Sequence, residues 1–294
     1  MDSKSNPQTP PWLPPVLASL QRTQQALAAS LDEQRKISDL LLYQQTRELQ
    51  QAHPNPLNRC GSKCFSQTDE DGITLEILRR LDLLQAPGRF AEFGVGNGLE
   101  NNTLVLAALG WKGYWVGGDE LAFRYRPGER LVFTREWITL DNILDLAERS
   151  RRALALDGLD VVSLDLDGND IYLAGRLLEH GVRPALFIVE YNARFPPPVR
   201  FQIPYRADFK WQGDDFYGAS LQSFDDLFTT HGYRLVACNS HTGANAFYVD
   251  ARHAGCFADV PGDLRALYVE PRFHLYNTFG HGVSAALVER ILGL

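Results

Sequence analysis

Basic charge is in short supply in this chain: 29 Lys and Arg stand against 36 Asp and Glu, a net charge of −7. General nucleic-acid binders present a basic face, so that class is excluded. Long apolar runs are missing as well, and nothing approaches the ~20 residues that cross a bilayer. The opening Met1-Asp-Ser-Lys-Ser-Asn-Pro7 has neither the charged nor the apolar region of a signal peptide. A cytoplasmic protein without a membrane span is expected. Cysteine is sparse, with four residues at 60, 64, 238 and 256. Cys60 and Cys64 lack zinc-knuckle spacing and no matching Cys/His pair follows, so free thiols are expected. What is present is 294 residues, 45% of them hydrophobic. That is enough for one large core, and the length permits two domains.

The order of segments is readable from composition. Residues 1–15 carry five prolines and are expected to be disordered or extended. Residues 16–56 form the next unit. No proline or glycine interrupts Val16–Gln51, and Leu17, Leu20, Leu27, Leu31, Ile37, Leu41 and Leu49 recur at helical steps. The spacing predicts a long amphipathic helix ended by His53-Pro-Asn-Pro56, whose stripe self-association or docking would cover. Residues 57–294 then alternate apolar runs with helical patterns. Strands are expected at 89–93, 113–117, 130–134, 159–165 and 185–190, with an antiparallel pair at 233–237 and 245–249. Alternation of this kind implies an α/β fold: a Rossmann-like, mostly parallel seven-stranded sheet with helices on both faces.

The first strand runs into Glu92-Phe-Gly-Val-Gly-Asn-Gly98. Glycine lets the chain bend off a strand tip and approach a ligand closely. No lysine follows, as a triphosphate loop needs, and bulky Leu99 breaks the third-glycine register of a dinucleotide fold. Glu92 would repel a pyrophosphate but suits a cationic ligand without phosphate, such as S-adenosylmethionine. Asp119-Glu120 ends the next strand, 21 residues beyond Gly98, at the ~20-residue distance where a carboxylate reaches ribose hydroxyls.

Glu92, Gly94, Gly96 and Gly98 resemble the first motif of the class I S-adenosylmethionine-dependent methyltransferases. Phe65-Ser-Gln-Thr-Asp-Glu-Asp-Gly72 and Gly110-Trp-Lys-Gly113 are similar to the FkbM-like branch, which often methylates hydroxyl groups. The resemblance covers roughly residues 62–250. It implies that Glu92, Gly94, Gly96 and Gly98 cradle the cofactor and that Asp119 or Glu120 holds its ribose.

Asp165, Asp167 and Asp170 follow the fourth strand, and Glu190 and Asn192 end the fifth. Carboxylates gathered at one sheet edge repel one another unless a cation or proton offsets them. Oxygen ligands of this kind suit Mg2+ or Mn2+. The Leu166-Asp-Gly168 segment is similar to metal-dependent O-methyltransferases of sugars, which implies a ligand role for Asp167 and Glu190. Tyr191 departs from that pattern, leaving Asn192 or Asp165 to complete the shell. Capping of the next helix is the competing account of these acids. Without a cation, Asp167 or His241 would take the acceptor's proton.

Residues 195–220 form a long aromatic insertion, either a lid or a plain cover for the sheet. The tail Phe273–His281 is expected to close the site or bridge subunits. The leading expectation is O-methylation of a small-molecule or glycan hydroxyl by a homo-oligomer. The alternatives are a non-catalytic scaffold assembled through the N-terminal helix, and an NAD-linked oxidoreductase.

Overall fold

A computed structural model describes residues 10–272 and 285–293 of the chain. Two compact units divide it at residues 45 and 46. The first is helical from Leu13, where α1 (Leu13–Ala52) begins. Pro14 and Pro15 fall in its first turn, where a missing N–H costs nothing. Residues 13–15 are therefore helical rather than extended as expected. The rest of the Pro-rich segment, up to residue 9, and Phe273–His281 lie outside the described residues. Along α1, Leu17, Leu20, Leu27, Leu31 and Leu41 are all exposed.

The second unit holds the sheet, built from β1 (Arg89–Phe93), β2 (Lys112–Gly117), β3 (Leu131–Arg135), β4 (Val161–Leu164), β5 (Leu186–Glu190), β6 (Tyr233–Cys238) and β7 (Asn245–Asp250). Their spatial order is β3-β2-β1-β4-β5-β7-β6. The first five pair in parallel, and β7 enters antiparallel between β5 and β6. Apolar runs such as Val161–Leu164 are buried throughout because helices cover both faces. The aromatic part of the core lies beneath β7, where the Phe228 and Tyr248 rings stack at 4.2 Å.

Two features of this topology place the site. The chain order reverses at β1 and β4, and ligands of open α/β sheets sit at the strands' carboxyl ends near such a switch. Antiparallel β7 brings its own first residue to that edge, since Asn245 pairs with Glu190 in the register. A turn beginning at the last strand thus faces the glycine turn after the first.

The helices are α2 (Glu70–Arg80), α3 (Leu104–Ala108), α4 (Ile143–Ala153), α5 (Asp170–Glu179), α6 (Leu221–Thr230), α7 (Leu264–Leu267) and α8 (Ala285–Leu292). α2 has no counterpart in the sequence reading. Its Glu76 accepts hydrogen bonds from Arg79 at 2.7 Å and Arg80 at 2.8 Å. Those guanidinium groups, Arg79 first, hold the Glu76 carboxyl at about 2. A depressed folded value contributes stability that is full above the unfolded value near 4.5 and is lost as pH falls towards about 2. Glu76→Gln should therefore narrow the stability difference between pH 5 and pH 2 in urea titrations. The change should stay below about 1 kcal/mol, because Arg79 is largely exposed. An unaltered pH profile would contradict it.

Among the described residues, no helix is long and apolar enough to cross a membrane.

Candidate functional site

The turn after β1 is shaped by two close backbone approaches. Gly94 adopts φ +94, and a Cβ there would lie 1.6 Å from the carbonyl oxygen of Asp165. Across the turn, a Cβ on Gly117 would lie 1.9 Å from the Val95 carbonyl oxygen. The N–H groups of Gly94 and Val95 both donate to the Val116 carbonyl. Gly98 adopts φ +81 against Leu121 and Phe123. Gly96 differs from the others: a Cβ there would meet nothing within 4 Å.

Glu92, which lines the hollow beside this turn, also has a structural task. Its carboxylate accepts the backbone N–H groups of Asn102 at 2.9 Å and Thr103 at 3.1 Å, and the Thr103 hydroxyl as well. Trp115 Nε1 donates in turn to that hydroxyl at 2.8 Å. Glu92 thus caps the short α3 from the neighbouring strand and sets the far end of the turn. Burial pushes its carboxyl up against the pull of these donors. The sequence does not show this capping task because the acid's partners lie ten residues on, beyond the turn.

Beside the turn is a hollow of about 190 Å³. Glu92, Gly94–Asn97, Glu100–Asn102 and Asp165 wall it on one side, and Gln67 and Asn245 close the other. Among the described residues, three lining side chains are carboxylates, those of Glu92, Glu100 and Asp165, and none is Lys, Arg or His. Gly98, Asp119, Glu120 and His241 do not line it. Glu120 instead pairs with Arg135 at 2.7 Å in an exposed ion pair. Asp119 faces Asp167, whose carboxyl is raised by lost hydration and by the Asp119 charge.

The acidic cluster does assemble. Asp165, Asp167 and Glu190 each bring a carboxylate oxygen within 4.8 Å of the others. Asp165 and Glu190 are half-buried and Asp167 is exposed. Lost hydration and mutual repulsion hold both Asp165 and Glu190 well above the usual carboxylate range, and they share a hydrogen bond that requires a proton. Asp167 sits at φ +58, a left-handed conformation that aspartate adopts more readily than most residues. Asp165 belongs both to this cluster and to the hollow, so the two sites share a wall.

Asp170 and Asn192 are used elsewhere. Asp170 accepts the N–H groups of Leu166 and Gly168 at 2.8 and 3.0 Å, pinning the loop that carries Asp167. Burial pushes it up to about 6. The Asn192 amide donates to the carbonyls of Asp215 and Tyr217, and its oxygen accepts the Arg194 N–H. It therefore anchors the aromatic insertion.

That insertion is ordered over the cluster. The Phe209 ring occupies the space where Gly168 has no Cβ, 2.4 Å from where one would stand. Trp137 Nε1 donates to the Ala207 carbonyl at 2.7 Å, and Tyr172 to Ile203 at 2.6 Å. Tyr217 is buried, and its hydroxyl is held up first by lost hydration and then by the charges of Glu190, Asp165, Asp167 and Asp170.

The remaining wall is backed by an acidic strap at the start of α2, with Asp69 at its cap and Glu70 and Asp71 in its first turn. Asp69 accepts the N–H groups of Ser240 and His241 and the Gln50 amide. Glu70 accepts Thr68, Asn239 and Asn245. Asp71 takes three consecutive backbone N–H groups, of Cys64, Phe65 and Ser66. His241 is buried, tied through its backbone to this strap in the β6–β7 turn. Gln67, Asn245 and Gly117 are the site residues to which sequence reasoning gave no role. Their partners stand far away along the chain, and nothing local signals them.

No family model matches the chain, and no curated protein matches its sequence. Among solved structures it is similar to the MycE methyltransferase from the mycinamycin biosynthetic pathway in complex with Mg, SAH and mycinamycin VI. That likeness has 16% identity and a TM-score of 0.33, over 61% of this chain and 46% of that one. A second MycE structure, with Mg and SAH, gives 14% identity and a TM-score of 0.32, over 64% and 54%. The chain thus spans about half the length of these neighbours.

Proposed function

We propose that this protein transfers a methyl group from S-adenosylmethionine to a hydroxyl of a small molecule or glycan. The lining of the hollow supports this best: Glu92, Glu100 and Asp165, with no basic side chain among the described residues. A phosphate-bearing cofactor would meet only like charge there, whereas a sulfonium with an ammonium group is complementary. Gly94 and Gly96 let such a donor approach the backbone, and Asp119, rather than the paired Glu120, is left to reach its ribose.

Asp165, Asp167 and Glu190 fit a hard divalent cation, Mg2+ or Mn2+. Their donors are all carboxylate oxygens, gathered within 4.8 Å of one another. A cation held there would lower the pKa of the acceptor hydroxyl. The chain's own residues supply the rest. The shared wall at Asp165 sets donor and acceptor side by side, and orientation of this kind is a large part of catalysis. The insertion, seated through Phe209 and Tyr217, excludes water from the rim. A bound S-adenosylmethionine would supply the methyl group and its own leaving group. Where no cation is held, the exposed Asp167 carboxylate would take the hydroxyl proton.

Isothermal titration of the full chain with S-adenosylmethionine should give one saturable site. Absence of heat, with NADH binding instead, would favour the oxidoreductase. The exposed stripe of α1 supports self-association, and it is the one feature that favours the scaffold reading. Donor binding without turnover on any acceptor would select the scaffold.

A further inference from the structure

The hollow's second wall carries a polar atom whose direction is fixed from behind. Asn245 is 3% exposed, and its Oδ1 has no hydrogen-bond partner among the described residues although the residue lines the hollow. Buried acceptors are nearly always satisfied, so an orphan on a residue that lines a cavity marks a place for a ligand's donor. Its orientation does not depend on how an amide happens to be drawn. Asn245 Nδ2 donates to Glu70 Oε1 at 3.2 Å. Glu70 also receives the Thr68 N–H and hydroxyl and the Asn239 amide. A carboxylate surrounded by donors accepts only, so the NH2 of Asn245 must face Glu70 and its oxygen must face away. The backbone is locked too: the Asn245 N–H donates to Asn239 Oδ1 at 2.9 Å, and the Asn239 N–H to the Asn245 carbonyl at 3.0 Å.

We infer that Asn245 is a ligand-binding residue that accepts a hydrogen bond from an ammonium group, with Glu70 as the positioning residue that sets its amide. The inference rests on the methyl-donor reading and deepens it, assigning the donor's α-ammonium to the wall built by the strap and β7. The surroundings agree, since the carboxylates lining the hollow favour a cation and Gln67 is the neighbouring amide on the same wall.

The test uses two probes, S-adenosylhomocysteine and its analogue lacking the α-amino group, titrated calorimetrically into the full chain. On the unaltered protein the analogue should bind roughly 10- to 100-fold more weakly, the range for losing a hydrogen bond to a charged group. Asn245→Ala should weaken S-adenosylhomocysteine by a similar factor and leave the analogue unchanged. Glu70→Gln, which lets residue 245 turn its amide, should act in the same selective direction. Equal binding of the two probes by the unaltered protein overturns the inference without requiring any variant to fold. So does a loss in Asn245→Ala that is the same for both. Binding of neither probe by the unaltered protein sinks the methyl-donor reading itself, and the inference with it.

Discussion

Gly96→Val should leave the protein folded and abolish binding of S-adenosylmethionine. A Cβ at this position meets nothing within 4 Å, and its φ lies outside the left-handed range. The valine therefore strains no backbone and stands in the space beside the hollow. The melting temperature should stay within about 2 °C of the unaltered protein, in line with a substitution away from any packed contact. Affinity should fall at least ~100-fold, since the close approach that glycine allows is lost. Gly94→Ala should behave in the opposite way. Its Cβ would stand 1.6 Å from the Asp165 carbonyl oxygen, at a φ of +94. Several kcal/mol of strain are expected, about 10 °C in melting temperature for a unit of this size. Differential scanning fluorimetry and calorimetric titration on both variants decide the matter. Unchanged affinity in Gly96→Val would remove the hollow as the ligand's seat.

Asp165→Asn should make the protein more stable in chelator and less responsive to cations. Three carboxylates within 4.8 Å repel one another, and such crowding is retained at functional sites at a cost in stability. Replacing one charge by an amide should add about 1–2 kcal/mol, or about 2–6 °C. Saturating Mg2+ or Mn2+ should then raise the melting temperature of the unaltered protein, by about 2.7 kcal/mol of stability at a hundredfold excess over Kd. The variant should gain little. Glu190→Gln should behave alike, while Asn192→Ala should lower stability without altering the cation response, because the Asn192 amide holds the carbonyls of Asp215 and Tyr217. A melting temperature indifferent to both cations would rule out the trio as a metal site.

Much of the fold was legible because its signals are local. Runs such as Val161–Leu164 and Leu186–Glu190 read as buried strands, and their alternation with helices gave the parallel sheet. The antiparallel pair at β6 and β7 was legible too, with ends one residue short of those in the structure. The acids after β4 and β5 were readable as a cluster, because strand ends in such a sheet share an edge. Roles that depend on distant partners were not legible. The capping task of Glu92 was one of these, because it acts across the turn, on Asn102 and Thr103. Gly117 gave no warning, since its need arises only when the Val95 carbonyl crosses over β2. α2 went unread because Asp69, Glu70 and Asp71 look like a solvated acidic run until their donors, some about 170 residues away, are in place.

The placement of β7 bears on when this protein can act during its own synthesis. A ribosome that has delivered β1 to β5 has already released every glycine of the turn and every acid of the trio. The opposite wall still awaits Asn239 and Asn245, and the strap made long before has no mate until they emerge. The hollow is therefore completed late in translation, and chains interrupted before residue 245 lack its second wall however well their first five strands have paired.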